Sequence, residues 1–435
     1  MKSFFLAFIL LFGACLATTA QDPSMFRGDM QHSGVYNATG VPKFERVRWK
    51  FQTQGRVISS PAIANGTIYI GSTDQNLYAV EVETGNQKWK FATEGPVVSS
   101  PAVSDGTVYF GSYDGNFYAV VAASGQLKWK FQTGGERRYS GKHLHDLQPA
   151  GETMPDPWDF YLSSPAVWES TVYFGSGDGN VYAVETDSGK LKWKFQTNDV
   201  VHSSPAIAEG VLYIGSWDSY LYALDAATGG EKWHFKTGED PAIHNHVGIQ
   251  SSPVVADGTV YFGCRDSNLY AVDAKTGKQK WFFSTKGSWV NNSPVVYGGK
   301  VYFGQSLPGF FHAVDAKTGA LSFSLDTKVP VFSSAAIANG VLYFGTFDGK
   351  LTALDLNSQK PLWVFQTDAS KQNFPAISNR DGTINFGSIM SQGFYDDMVI
   401  GVRKLLSAGA ILSSPVVAGS VIYIGGADGS LYALE

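Results

Sequence analysis

The sequence predicts an all-β fold, a single closed β-propeller of four-stranded blades, and three observations predict it. A Ser-Ser-Pro motif or a variant of it recurs nine times, with its third residue at Pro61, Pro101, Pro165, Pro205, Pro253, Pro294, Ala335, Pro375 and Pro415. The intervals are 40, 64, 40, 48, 41, 41, 40 and 40 residues, and self-similarity at such a period marks a stacked-repeat architecture. Each copy divides into short apolar runs separated by turn residues. Small residues open each copy and tryptophan tends to close it, which is the taper that blades converging on an axis require.

The elements follow in order within residues 99–131, SSPAVSDGTVYFGSYDGNFYAVVAASGQLKWKF. The first strand comes after the Ser-Ser-Pro and holds small side chains. The second is TVYFGS, and Asp114-Gly115 then turns the chain, a pair that tolerates positive φ and signals a hairpin. The third is FYAV, Ser124-Gly125 turns again, and KWKF is the fourth. Val108 and Phe110 point one way and Tyr109 the other, so both faces are apolar. Such a sheet is stable only between neighbours. Fourth-strand tryptophans stand at 89, 129, 193, 233, 281 and 363, at the wide periphery.

Closure has its own signature. The last copy, 413–435, lacks a fourth strand, and an orphan of that type stands near the N-terminus at Val47-Arg48-Trp49-Lys50-Phe51. Pairing the two leaves no free sheet edge. Nine repeats give nine blades, or eight if a terminal copy packs outside the ring. Copy six has Gln305-Ser306-Leu307-Pro308-Gly309 for its turn and Phe323 for its tryptophan. Copy eight, Phe374 to Leu406, loses both the Asp-Gly turn and the tryptophan. Both read as drift within blades filled by other apolar residues.

Two insertions interrupt the period. The connection over 134–161 is 24 residues longer than its counterparts, and that over 238–250 is eight longer. Both join a fourth strand to the next first strand, as does the connection bearing His202, and in an antiparallel blade these emerge on one face. His143, His145, His202, His244 and His246 therefore gather on that face with Asp146 and Asp240. These residues and Trp158 are the candidate ligand- or partner-binding set. Should the face hold a metal such as zinc, His143, His145, His244 and His246 are its candidate ligands. Tyr139, Trp158, Phe160 and Tyr161 add aromatic character expected of an exposed interaction surface. The turn aspartates Asp74, Asp114, Asp178, Asp218, Asp266, Asp348 and Asp428 read as turn formers.

The N-terminus reads as an export signal over residues 1–20: Lys2, an apolar run from Phe4 to Phe12, and Thr18-Thr19-Ala20. Residues 21–46 form an extended lead-in and 47–435 the propeller. Gly13-Ala14-Cys15 offers an alternative, lipidation of Cys15, which would make the protein an outer-membrane lipoprotein rather than a soluble periplasmic or cell-envelope one. If Cys15 leaves with the signal, Cys264 is the remaining thiol and no internal disulfide forms. The formal charge of −5 becomes −6 without Lys2. That mildly acidic balance points away from nucleic acid and leaves a lipid anchor as the membrane contact.

The repeats resemble a known family. LYALDAATGGEKWHF at 221–235 and AVDAKTGKQKW at 271–281 carry the Ala-x-Asp-x-x-Thr-Gly-x-x-x-Trp docking pattern of PQQ-type propellers, and related copies cover 47–435. Residues 25–34, MFRGDMQHSG, resemble the lead-in before such repeats in exported bacterial proteins. The resemblance implies one of two groups: BamB-like outer-membrane assembly factors, which are non-enzymatic scaffolds, or quinoprotein alcohol dehydrogenases, which use PQQ with calcium. The latter typically carry adjacent cysteines, absent here, and no Cys-x-x-Cys-His for haem is present. A Gly-x-Ser-x-Gly elbow, a phosphate loop and a His-Glu-x-x-His helix are also missing. The sequence therefore reads as an exported binding or scaffold protein with no expected cofactor and no assigned catalytic residue. The alternative is a PQQ- or metal-dependent oxidoreductase with its site on the same His-rich face.

Overall fold

The computed structural model describes residues 24–238, 248–390 and 393–435, so the export signal, Cys15, Asp240, His244 and His246 lie outside the described residues. Eight sheets of four blade strands form the molecule. Blades 1 to 7 span residues 62–92, 102–132, 166–196, 206–236, 254–284, 295–326 and 336–366, and blade 8 combines 416–434 with Val47–Gln52. The closing strand pairs antiparallel with the chain end, Trp49 opposite Ala433 and Gln52 opposite Ser430. The expected exchange of the two termini within one sheet is therefore observed.

Around the axis the repeat's second serine links blade to blade. The amide of Ser60 donates to Ser100 Oγ at 3.0 Å, Ser100 to Ser164 at 3.0 Å and Ser164 to Ser204 at 2.9 Å. The chain continues from Ser204 to Ser252 and from Ser252 to Ser293 and Ser334. Ser333 Oγ donates to the Ser413 carbonyl at 2.9 Å, and the Ser414 amide returns to Ser60 Oγ at 2.9 Å. A small hydroxyl residue is needed here because larger side chains would collide where the blades converge. At the rim, fourth-strand tryptophans reach the next blade, as Trp89 Nε1 does by donating to the Ala122 carbonyl at 2.9 Å and Trp193 to that of Ala226 at 3.0 Å, whereas Trp363 reaches the Val41 carbonyl of the lead-in at 2.8 Å. Turn aspartates clasp their own blade and the connection that leads into it, as Asp178 does by accepting from Tyr182 at 2.6 Å and from the Gly134 amide, just past blade 2, at 2.6 Å. Their reading as turn formers holds.

Copy eight is not a blade. Residues of copy eight form a helical connection between blades 7 and 8: α1 (Asp368–Asn373), a short 3-10 turn carrying Pro375, α2 (Phe386–Ile389) and α3 (Tyr395–Ser407). Its apolar residues recur at helical rather than strand spacing: Val402, Leu405 and Leu406 are buried on one side of α3 while Arg403 and Lys404 face water. The interval of 40 residues on either side of Pro375 is a coincidence of insertion length, and the count is eight.

The lead-in threads across the inner strands. The Val103 amide donates to Ser24, that of Ile207 to Met30, that of Val255 to Gln31 and that of Ile337 to Gly34. Arg27, fully buried, donates to the carbonyls of His32, Pro294 and Ala335 at 2.9, 2.8 and 3.1 Å respectively for Nε, Nη2 and Nη1. A guanidinium suits this place because it presents several donors in a fixed fork. Phe26 stands beneath the serine ring.

Candidate functional site

Among the described residues the fourth-to-first-strand connections emerge on one face, and there the 134–161 segment and the helical connection are clamped together. The Gln148 amide donates to the Gly393 carbonyl at 2.7 Å, that of Tyr395 to Gln148 at 3.0 Å, and Tyr395 Oη to the Pro155 carbonyl at 2.7 Å. The 134–161 segment is anchored at its start by Glu136, which accepts from Ser176 Oγ and the Gly177 amide, both at 2.7 Å. Its later part carries two fully buried carboxylates, Asp156 and Asp159.

Burying a carboxylate is costly unless it is paired and hydrogen-bonded, and each finds a separate set of partners. Asp159 accepts from the Tyr139 amide at 2.7 Å and meets His202 Nδ1 at 2.8 Å. The other ring nitrogen of His202 lies 3.8 Å from Glu136. Burial alone would lower the His202 pKa, but the two carboxylates outweigh it and push it up to about 10. Asp156 accepts from the Trp158 amide at 2.8 Å, lies 3.2 Å from His145 Nε2 and pairs with Arg265. Burial opposes its ionisation, yet Arg265 and His145 hold its carboxyl well below the usual range. The Arg265 guanidinium is sandwiched between the rings of Trp217 at 4.6 Å and Trp289 at 3.8 Å, a cation–π arrangement that arginine favours.

The predicted site residues thus meet different fates. His145 and His202 lie on this face but belong to two ion-paired clusters. His143 and Asp146 are exposed, both with left-handed backbone at φ 53 and 56. Trp158 is buried, 8% exposed, edge-on to Trp289 and Phe332. The expected exposed aromatic surface is therefore corrected: Tyr139, Trp158 and Phe160 are buried, because the insertion folds inward as a plug and its rings fill the mouth of the axis. Among the described residues, the exposed large apolar residues of the face are Phe394 and Ile400, on the helical connection, and Leu307, in a turn of blade 6.

Sequence reasoning missed Arg265, Asp156 and Asp159 as a charge network, and also Gln250 and Asn291. A signal existed for the last two. The residue before the serine pair is Ile58, Val98, Leu162, Phe332 or Leu412 in five blades, but His202, Gln250 and Asn291 in blades 4, 5 and 6. Those three polar side chains line a small axial cavity of about 40 Å³ with the serine ring.

A continuous ring of such blades, with tryptophans docked on the neighbouring blade, defines a PQQ-repeat β-propeller. A family model described as "Outer membrane protein assembly factor BamB" matches residues 42–150, 156–304 and 283–404. The chain belongs to this family. In structure it is similar to BamB from Moraxella catarrhalis, with 15% identity, a TM-score of 0.66, and 90% of this chain and 99% of that one covered. It is also similar to the quinohemoprotein alcohol dehydrogenase from Comamonas testosteroni, with 14% identity, a TM-score of 0.69, and 95% and 80% covered. Among curated sequences it matches the dehydrogenase subunit of a quinone-type alcohol dehydrogenase from Gluconacetobacter polyoxogenes, 40% identical over 86 residues. That stretch is 17% of this chain and spans 12% of the relative.

The dehydrogenase likeness implies PQQ and a metal, so the residues present can be tested for fit. No group of three or more His, Cys, Asp or Glu side chains placed to hold a metal occurs among the described residues. The axial cavity is about a tenth of the size of a small-molecule site of roughly 300–1,000 Å³, and the neighbouring larger cavity has three arginines and no carboxylate in its lining. The described residues around these cavities offer no carboxylate set that fits the calcium.

Proposed function

We propose that this protein is an exported, non-enzymatic scaffold of the bacterial cell envelope that docks a protein partner through the face built by the 134–161, 238–250 and helical connections. The partner is a component of the machinery that the family's name describes, outer-membrane protein assembly. The observation that carries this reading is the clamp of 134–161 onto the helical connection. It fixes Phe394 and Ile400 in an exposed position above a rigid ring, and preorganised contacts lose little entropy on binding. Exposed apolar side chains on a fixed support are what a partner surface requires.

The test is copurification from detergent-solubilised envelopes. Wild-type protein should bring down an outer-membrane assembly component, and Phe394→Asp with Ile400→Asp should weaken that recovery about tenfold or more without altering the melting temperature. Recovery unchanged in the double variant would overturn the docking face. The competing oxidoreductase reading predicts saturable binding of PQQ with calcium, or of zinc, followed by absorbance and melting temperature, together with dye reduction by an alcohol. That result would overturn the scaffold reading.

A further inference from the structure

A second cavity, about 390 Å³, opens on the insertion face between α3 and the end of the 134–161 segment. Its size falls within the roughly 300–1,000 Å³ of small-molecule sites. Its floor is apolar: Ile58 and Val98 come from the layer above the serine ring, Phe160 from the insertion, and Val402 and Leu406 from the buried side of α3. Three cations stand around it, Arg56 in the connection to blade 1, Arg138 in the insertion and Arg403 on α3.

These arginines are gathered without counter-ions. Neighbouring Arg137 pairs with Asp199 at 3.1 Å, but Arg56, Arg138 and Arg403 have no carboxylate within ion-pair distance among the described residues. The acids closest to them are engaged or exposed. Glu136 is held by Ser176, Gly177 and His202, Asp159 by His202 and Tyr139, and Asp396 lies in water at the start of α3. Arg138 and Arg403 stand at the exposed rim and Arg56 is half-buried; like charges repel, and Arg56 loses some of its basicity to burial and to Arg403. The Tyr113 hydroxyl in the same wall is buried, and its proton has no acceptor. Arg138 beside it can only donate. Four donors facing an apolar basin without an acceptor describe half of a binding interaction.

We infer that this cavity binds a small amphipathic carboxylate, its acidic head received by Arg56, Arg138, Arg403 and Tyr113 and its apolar body laid against Val98, Phe160 and Leu406. The inference rests on the reading that the insertion face is the recognition face, and it adds a small-molecule ligand to the protein partner. Guanidinium groups bind carboxylates through paired, charge-assisted hydrogen bonds, and the apolar floor selects against small hydrophilic anions.

Decanoate, decanol and decyltrimethylammonium, which share one chain length, provide the test by isothermal titration of the full chain. Decanoate should bind saturably at one site per molecule. Arg56→Gln with Arg403→Gln should weaken it at least about tenfold, and Arg380→Gln, an exposed control outside the cavity, should leave it unchanged. Decanol should bind at least about tenfold more weakly, and the cation not at all. No saturable decanoate binding, equal binding of the cation, or affinity unaltered by the double variant would each overturn the site. The double variant retains Phe394 and Ile400, so copurification of the assembly partner is read on it in parallel. A protein that keeps its partner yet never binds decanoate overturns the carboxylate site alone.

Discussion

His202 shows how a residue that looks like a ligand in the sequence can be a structural cation. Its pKa is raised to about 10, above the unfolded value near 6.5. The stability it contributes is therefore fully present below about pH 6.5 and is lost as pH rises through about 10. Between about pH 6 and pH 10.5, the urea midpoint of the wild type should fall further than that of His202→Gln, which carries the same lysines and tyrosines. At neutral pH the variant should be less stable by about 3–5 kcal/mol, because Asp159 and Glu136 would remain buried without their cation. The histidines on this face could be read from the sequence; their partners could not. Asp159 and His202 are 43 residues apart and Asp156 and Arg265 are 109 apart, and only the ring brings them together.

At the scale of the element, the rim tryptophans other than Trp363 are each seated by a glycine. Gly189, with φ +68, would place a Cβ 2.7 Å from the Trp129 ring, whereas Gly106, with φ +69, would meet nothing within 4 Å. Both Gly→Ala variants carry the left-handed backbone cost of about 1–2 kcal/mol. Only Gly189→Ala should add a packing cost of about 1–3 kcal/mol, and the difference between their chemical denaturation midpoints isolates the docking contact. Ala-x-Asp-x-x-Thr-Gly made this seat legible from sequence alone. The helical connection escaped because its length mimics one repeat and Pro375 falls on the expected position. The 398–406 run, with apolar residues three and four apart, was the overlooked sign. Leu405→Ala, at a 1% exposed position, should cost about 2–5 kcal/mol. Hydrogen exchange should show that loss in α3 and the 134–161 clamp rather than in blades 2 to 6.

For the whole molecule, fold class, blade composition and the shared closing sheet were all written in the repeat, since every copy states the same strand-and-turn pattern. What the period could not state was which copies join the ring. That depends on whether a segment can offer two apolar faces, and residues 368–409 offer one. Removing Ser430–Leu434 would strip Val47–Gln52 of its partner and leave an open edge. The truncated chain should appear as aggregates rather than monomers in size-exclusion chromatography with light scattering.

The shared sheet also fixes a timetable. Val47–Gln52 leaves the ribosome well before Ser430–Leu434, the strand it pairs with. The earlier strand therefore waits, edge bare, until the seven intervening blades have been made and its neighbour exists. Such long-delayed pairing is slow and exposed to misassociation, so an escort that shields the nascent N-terminal edge would act on this chain at its most vulnerable moment.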